Sequence, residues 1–298
     1  MDPIRIDLKK KSIASKRELR GRVLTCICVG ISVLMMTALI LFITYKGLQL
    51  FSQDKISLSS FLGGTKWNPR DRQFGASALL LGSITATFLA VLLAFPFALG
   101  TAIFISEFKP LKVKKYLRFS IELLVGIPAV VYGFIGIAAI VPLLRLLLGG
   151  TGFSLLAGVI ILAIMILPTM TTLCVTAFKS VPSAYREVSH ALGATQWQTL
   201  QKIILPLAQS QIIIAILFGT AQAFGEAIAV QMVIGNAVLI PRHLMSPAAT
   251  LTSVLTTGMG DSVRGSVANN ALWSLALLLL IISLLFNLAV HLTTRKRF

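Results

Sequence analysis

The 298-residue chain is 56% hydrophobic and only 12% charged, with mean hydropathy +0.88. That balance excludes an ordinary soluble domain and indicates an all-α polytopic membrane protein. A net charge of +17 would suit nucleic acid, but the basic residues cluster at the ends of apolar stretches, as membrane topology requires.

Six stretches reach the length of about 20 residues that a bilayer-crossing helix needs. They are residues 23–50, 74–106, 119–148, 155–178, 207–234 and 271–292. Ahead of them, residues 1–22 form a basic segment, read as a topology anchor with anionic lipid contact as the alternative. The first span is longer than a signal core, and no small-x-small site precedes Lys46, so it reads as a retained helix. Cys26 and Cys28 inside it, like Cys174 later, lack His or further Cys at ligand spacing and read as inert membrane cysteines. Residues 51–73 form an outer segment, in which GGTKWNPRDR (63–72) reads as a turn-rich strip with an interfacial Trp67.

The remaining spans, within a single transmembrane domain over residues 74–294, are irregular. Pro96 interrupts the second, Gly126-Ile-Pro128 opens the third ahead of Gly133 and Gly136, and Pro168 interrupts the fourth. In lipid, freed backbone groups are tolerated only against protein or a water-filled cavity. The breaks together suggest a bundle around a pathway, and ordinary kinks and packing glycines are the alternative.

Between the fourth and fifth spans lies EVSHALGATQWQTLQKIILP, residues 187–206. It carries too many polar residues to stay in lipid. Pro182 and Ser183 suit a helix start, and Gly193 suits a left-handed stop. Thr195 and Gln198 have the spacing of a capping box for a second helix, and Pro206 marks entry to the next span. The segment 182–206 therefore reads as a folded helix pair that meets water or a soluble partner.

Glu226 is the one acid deep in an apolar span, about eight residues or ~12 Å from its outer end. An ionisable group there must face the interior and find a partner in water, another helix or another subunit. Gln222 lies one turn earlier on the same face, and Gly225 adjoins it. A pathway role and a structural interhelical hydrogen bond are both open for Glu226. Residues 235–270 read as a long polar loop holding Asn236, Arg242, Asp261 and Arg264.

Lys and Arg number nineteen on the side of the termini and the helix pair, against eight on the other. Both termini and residues 187–206 are therefore expected to be cytoplasmic.

Glu187, Gly193, Ile203, Leu205 and Pro206 match in type and spacing the coupling-loop signature of ABC importer permeases. Three further stretches resemble the PstC-type permeases of bacterial phosphate ABC importers. They are Trp67-Asn-Pro69 with Phe74-Gly-Ala76, Glu122 to Gly133 (ELLVGIPAVVYG), and Gly225-Glu226-Ala-Ile-Ala-Val230 with Met232-Val-Ile-Gly-Asn236. The resemblance implies the type I importer permease fold in a bacterial inner membrane. It implies a coupling loop using Glu187, Ala191, Gly193, Leu205 and Pro206, and a substrate pathway with Gln222, Gly225, Glu226 and Asn236. It also implies a PstA-like second permease, two PstB-like ATPase subunits and a PstS-like phosphate-binding protein, with no nucleic acid. This chain would bind no cofactor or metal, and ATP and Mg would belong to the ATPase. Gln222 departs from the family, which carries Arg there. Either the second permease supplies a cation, or the preferred oxyanion is not phosphate.

Other functions find less support. No phosphate-cradling G-x-x-x-x-G-K-[S/T] loop is present, so the chain is not itself an ATPase. A stand-alone transporter or channel would need ion-coupling groups or an inverted repeat beyond the single Glu226. Gly258-Met-Gly260-Asp261 spells an intramembrane-protease motif, but that chemistry needs two paired carboxylates in the membrane, and every Asp lies outside the spans.

Overall fold

The computed structural model describes residues 13–108 and 111–295. The basic segment before residue 13, and Lys109, Lys296 and Arg297 from the charge count, lie outside the described residues.

In chain order the helices are α1 (Ile13–Ser52), α2 (Leu58–Gly63), α3 (Ser77–Glu107), α4 (Leu111–Val125), α5 (Ala129–Leu148) and α6 (Leu155–Lys179). They continue with α7 (Ser183–Ala191), α8 (Gln196–Gly225), α9 (Ile228–Val233), α10 (Leu251–Asp261) and α11 (Val267–Arg295). Among the described residues six of them, α1, α3, α5, α6, α8 and α11, are long and apolar enough to cross a membrane.

The bundle centres on α6. Ala86, Ala90, Ala94, Ala98 and Ala102 recur every fourth residue along α3, each buried, so they form one stripe. That stripe lets α3 lie close against Leu155, Leu162, Ile166 and Met170 of α6. With no hydrophobic drive between helices in lipid, such close approach is what holds them together. The second half of α1 packs on α11: the Ser274 hydroxyl donates to the Gly47 carbonyl at 2.7 Å, and Phe42 meets Trp273 edge-on at 5.3 Å.

Gly82 on α3 is closely overlaid by the chain leading into α10. A Cβ there would collide with the backbone carbonyl of Ala249, which cannot swing aside as a flexible side chain would. Gly82→Leu is expected to cost about 2–3 kcal/mol of stability through overpacking, read as a lower melting temperature in detergent. Gly100→Leu on the same helix, where nothing lies within 4 Å, should leave it unchanged.

Several sequence expectations are corrected. The third span begins at Ala129, not at residue 119. Residues 119–125 are the last turns of α4, an amphipathic helix tied by an exposed i,i+4 pair between Arg118 and Glu122. Its apolar residues Phe119, Leu123 and Leu124 imitate the start of a span until Pro128, extended at ψ 144, restarts the chain. Pro96 and Pro168 do not break their helices, which run through both. The irregularities fall instead at two wide π turns, Gly136–Ile140 in α5 and Leu200–Ile204 in α8. Each lies just ahead of a proline, Pro142 and Pro206. The residue before each proline reaches back five positions, Val141 to the Gly136 carbonyl and Leu205 to the Leu200 carbonyl. The wider turn makes room for a ring that would otherwise clash four residues back.

The outer segments are more ordered than their composition suggests. Residues 63–72 are not a bare turn strip, because Trp67–Asn68 pairs antiparallel with Gln73–Phe74 and Trp67 stacks edge-on against Phe74 at 5.3 Å. The supposed loop 235–270 contains α10, started by a reciprocal capping box between Thr250 and Ser253. Its first turn is buried, and Leu251 N–H donates to the Ser83 hydroxyl of α3 at 2.9 Å.

Candidate functional site

Two places gather the candidate residues. The first is the helix pair at the end of the bundle where α6 terminates. Pro182 in an extended conformation turns the chain into α7, and Gly193 stops it at φ +79°. Thr195 then accepts from Gln198 N–H at 3.3 Å while the Gln198 side chain accepts from Thr195 N–H at 2.9 Å. The Gly193 stop and the Thr195 capping box are as the sequence indicates, whereas Ser183 makes no capping bond because Pro182 holds the N-cap position. The second helix is not separate, however: it runs from Gln196 through the π turn directly into the fifth span. A movement of the pair is therefore a movement of α8.

The pair is held together by a buried hydrogen bond between the Ser189 and Thr199 hydroxyls at 2.8 Å. Leu200 and Ile204 pack inward on Phe178, Cys174 and Ala208. Outward, Tyr185, Val188, Leu192 and Trp197 leave an apolar surface open, Leu192 being 83% exposed. Exposed apolar groups rimmed by polar ones mark an interaction surface. Glu187, Ala191 and Gly193 are also exposed, Leu205 is half-buried and Pro206 is exposed.

Sequence reasoning missed the residue that fixes this pair to the bundle. Arg186 makes a two-pronged ion pair with Glu107 at the end of α3, Nη2 to Oε1 at 2.8 Å and Nε to Oε2 at 3.1 Å. The same guanidinium donates to the carbonyls of Phe178 and Val181 at 2.9 Å each. One side chain thus clasps α7, the end of α6 and the end of α3. A signal was available, since an acid closing an otherwise apolar span in a strongly basic chain calls for a cationic partner.

The second place is the break in the fifth span. α8 ends at Gly225, and Glu226 leaves helical geometry at ψ 127°. Glu226 is therefore not inside a continuous helix, as its apolar surroundings imply. Its Oε1 accepts from the N–H groups of Ile228 and Ala229 at 3.1 and 3.2 Å. Its partner is the start of α9, whose first amides would otherwise be orphaned. The Glu226 carbonyl, freed by the break, accepts from the Thr252 hydroxyl of α10 at 2.8 Å. Gln222 lies one turn before, and its buried Oε1 has no hydrogen-bond donor among the described residues. Asn236 is not brought to this cluster. It lies beyond α9, at φ +52°, with its amide donating to the Gln231 carbonyl at 2.8 Å. Among the described residues no group of three His, Cys, Asp or Glu is placed to hold a metal ion.

Comparison with known proteins fits this geometry. Residues 94–297 match the model of a family described as binding-protein-dependent transport system inner membrane component. The chain is 44% identical over 283 residues to a probable ABC transporter permease protein, YqgH, of Bacillus subtilis (strain 168), covering 94% of this chain and 92% of that protein. It is 32% identical over 246 residues to the phosphate transport system permease protein PstC of Mesorhizobium japonicum, covering 76% and 75%. Among solved structures, a chain of a bacterial ABC transporter involved in import of the acidic polysaccharide alginate superposes with TM-score 0.64 at 17% identity. That match covers 96% of this chain and 100% of the other. A chain of the inward-facing MetNI methionine ABC transporter gives 0.55 at 21% identity, covering 72% and 94%. At these identities the structures speak for the fold alone.

Proposed function

Because the chain belongs to the binding-protein-dependent transport system inner membrane component family, we propose that it is the membrane permease of an ATP-driven importer of inorganic phosphate. Its partners would be a PstA-like second permease, two PstB-like ATPase subunits and a PstS-like binding protein. Both termini and the helix pair then face the cytoplasm, in line with the distribution of Lys and Arg. The observation that carries this reading is the protruding α7–α8 pair, apolar on its open face and clasped to two spans by Arg186. An exposed surface fixed so firmly to the transmembrane helices is suited to carrying rigid-body motion from a docked ATPase to the bundle.

Phosphate is supported by the relatives named PstC. The break at Glu226 is the proposed pathway element, with Gln222, Gly225 and, farther along, Asn236. Gln222, whose buried Oε1 has no hydrogen-bond donor among the described residues, lies one turn before the break and leaves room for a cationic donor from the second permease, which would supply the charge that phosphate needs.

Docking is tested by crosslinking. In a chain stripped of its three native cysteines, Leu192→Cys labelled with a maleimide–benzophenone should photocrosslink to the ATPase subunit, whereas the same label on Cys at Leu146, exposed near the opposite end, should not. Absence of any ATPase adduct from position 192 in an assembled complex would defeat the docking assignment.

The two readings of Glu226 separate by one substitution. Gln at 226 keeps an Oε1 that can cap α9 but removes the charge, whereas Ala removes both. If the carboxylate serves the pathway, Glu226→Gln should lower uptake by more than about tenfold, a loss worth ~1.4 kcal/mol or more of transition-state stabilisation, with assembly intact. Near-normal uptake in Gln and a defect only in Ala would reduce Glu226 to a helix cap, worth about 1 kcal/mol.

A further inference from the structure

We propose that the groove between α4 and α6, at the end of the bundle carrying the helix pair, binds a hydrogen-bearing phosphate group, inorganic phosphate or a phosphomonoester. Only the assignment of this end to the cytoplasm rests on the importer reading above.

The groove holds a cavity of about 130 Å³ whose polar lining is Arg118, Glu122, Thr171, Thr172, Thr176 and Lys179. That space is enough to admit a small tetrahedral group. Two cations converge on it. Arg118 gives only its Nε–H to Glu122, at 3.0 Å, and its Nη protons have no protein acceptor among the described residues. Lys179 has no ion-pair partner among the described residues. Both can therefore serve an anion without breaking an existing bond.

The threonines set the chemistry more narrowly. The Thr171 hydroxyl donates to the Leu167 carbonyl at 2.7 Å, Thr172 to the Pro168 carbonyl at 2.9 Å, and Thr176 to the Thr172 carbonyl at 3.0 Å. With its hydrogen so engaged, a hydroxyl presents only lone pairs. Glu122 likewise offers acceptor oxygens. The groove thus pairs two cations with a row of acceptors. Sulfate at neutral pH can answer the cations but carries no hydrogen for the acceptors. Hydrogen phosphate carries both, P–O⁻ for Arg118 and Lys179 and P–O–H for a threonine or Glu122. A phosphate P–O–H gains a hydrogen bond to these acceptors that sulfate cannot make, and sulfate oxygens would face the Glu122 carboxylate and the threonine lone pairs instead. The phosphodiester of a lipid headgroup has no P–O–H and fails the same requirement.

The test is equilibrium binding of radiolabelled inorganic phosphate to the full chain in phosphatidylcholine nanodiscs, without binding protein or ATP. Phosphate should bind, unlabelled methyl phosphate should compete, and sulfate should compete at least about tenfold less well. Lys179→Gln and Arg118→Gln should each weaken binding by about tenfold, the worth of one charge-assisted contact. Thr176→Val, close to isosteric, should narrow the preference over sulfate while the protein stays folded. Equal competition by sulfate, binding seen only when phosphatidylglycerol is added, or binding unmoved by both charge substitutions would each overturn the proposal. Failure of the importer reading would leave this binding intact, since the assay contains no transport step.

Discussion

Arg186→Ala is expected to abolish coupled transport while leaving the chain in the membrane. The substitution removes four hydrogen bonds at once, two to Glu107 and one each to the carbonyls of Phe178 and Val181. It also strands the Glu107 carboxylate, whose side chain is only 13% exposed. Loss of one partner from a fully buried pair costs about 3–5 kcal/mol. With both groups partly exposed, on the order of 2 kcal/mol is the better figure. That energy is concentrated at the joint between α7 and the two spans. The expected signature is uptake lowered by more than about tenfold, with basal ATP hydrolysis retained by the assembled ATPase. Arg186→Lys should rescue little, since an ammonium cannot span both carboxylate oxygens and two carbonyls as the planar fork does. Glu107→Gln, which keeps a hydrogen-bond acceptor, should be milder. Wild-type uptake in Arg186→Ala would show that the clasp is not the mechanical link.

Gly193→Val is the second large effect. Gly193 sits at φ +79°, and nothing lies within 4 Å of the place its Cβ would occupy. Space is therefore not the issue. The cost is backbone strain, about 1–2 kcal/mol for an ordinary L-residue and more for a β-branched one. Relief requires the turn to change hand, which would separate Ser189 from Thr199 and re-aim Leu192 and Trp197. Uptake should fall by more than about tenfold and ATPase should escape control by the loaded binding protein. Gly193→Asn, which enters the left-handed region more readily, should retain most activity. Full uptake in the Val variant would contradict this view of the turn.

Much of the helix pair was legible because its signals are local. A proline start, a left-handed glycine and a capping box each act within four residues, and all three stand in the structure. Spans were legible for a related reason, since apolar length alone defines them. What sequence could not supply depends on distant partners. The Arg186–Glu107 clasp joins residues 79 apart, and no periodicity announces it. α10 hid in a polar loop because its helix is short and rich in Thr and Gly, and because its burial comes from α3 and α11 rather than from its own pattern. The start of the third span was misplaced because the apolar face of an amphipathic helix and the first turn of a span have the same composition. Glu226 was legible as an outlier, but its role as acceptor for the α9 amides required knowing that the helix breaks there.

In the proposed importer this chain couples phosphate import to ATP hydrolysis in a partner. That coupling is tested most directly by reconstituting the chain with its second permease and ATPase and adding phosphate-loaded, sulfate-loaded or empty binding protein. Stimulation of ATP hydrolysis by the phosphate-loaded form alone, lost in Arg186→Ala, is the predicted result. Stimulation by another loaded oxyanion would contradict phosphate, and failure of a folded preparation to assemble with any ATPase would contradict the importer itself.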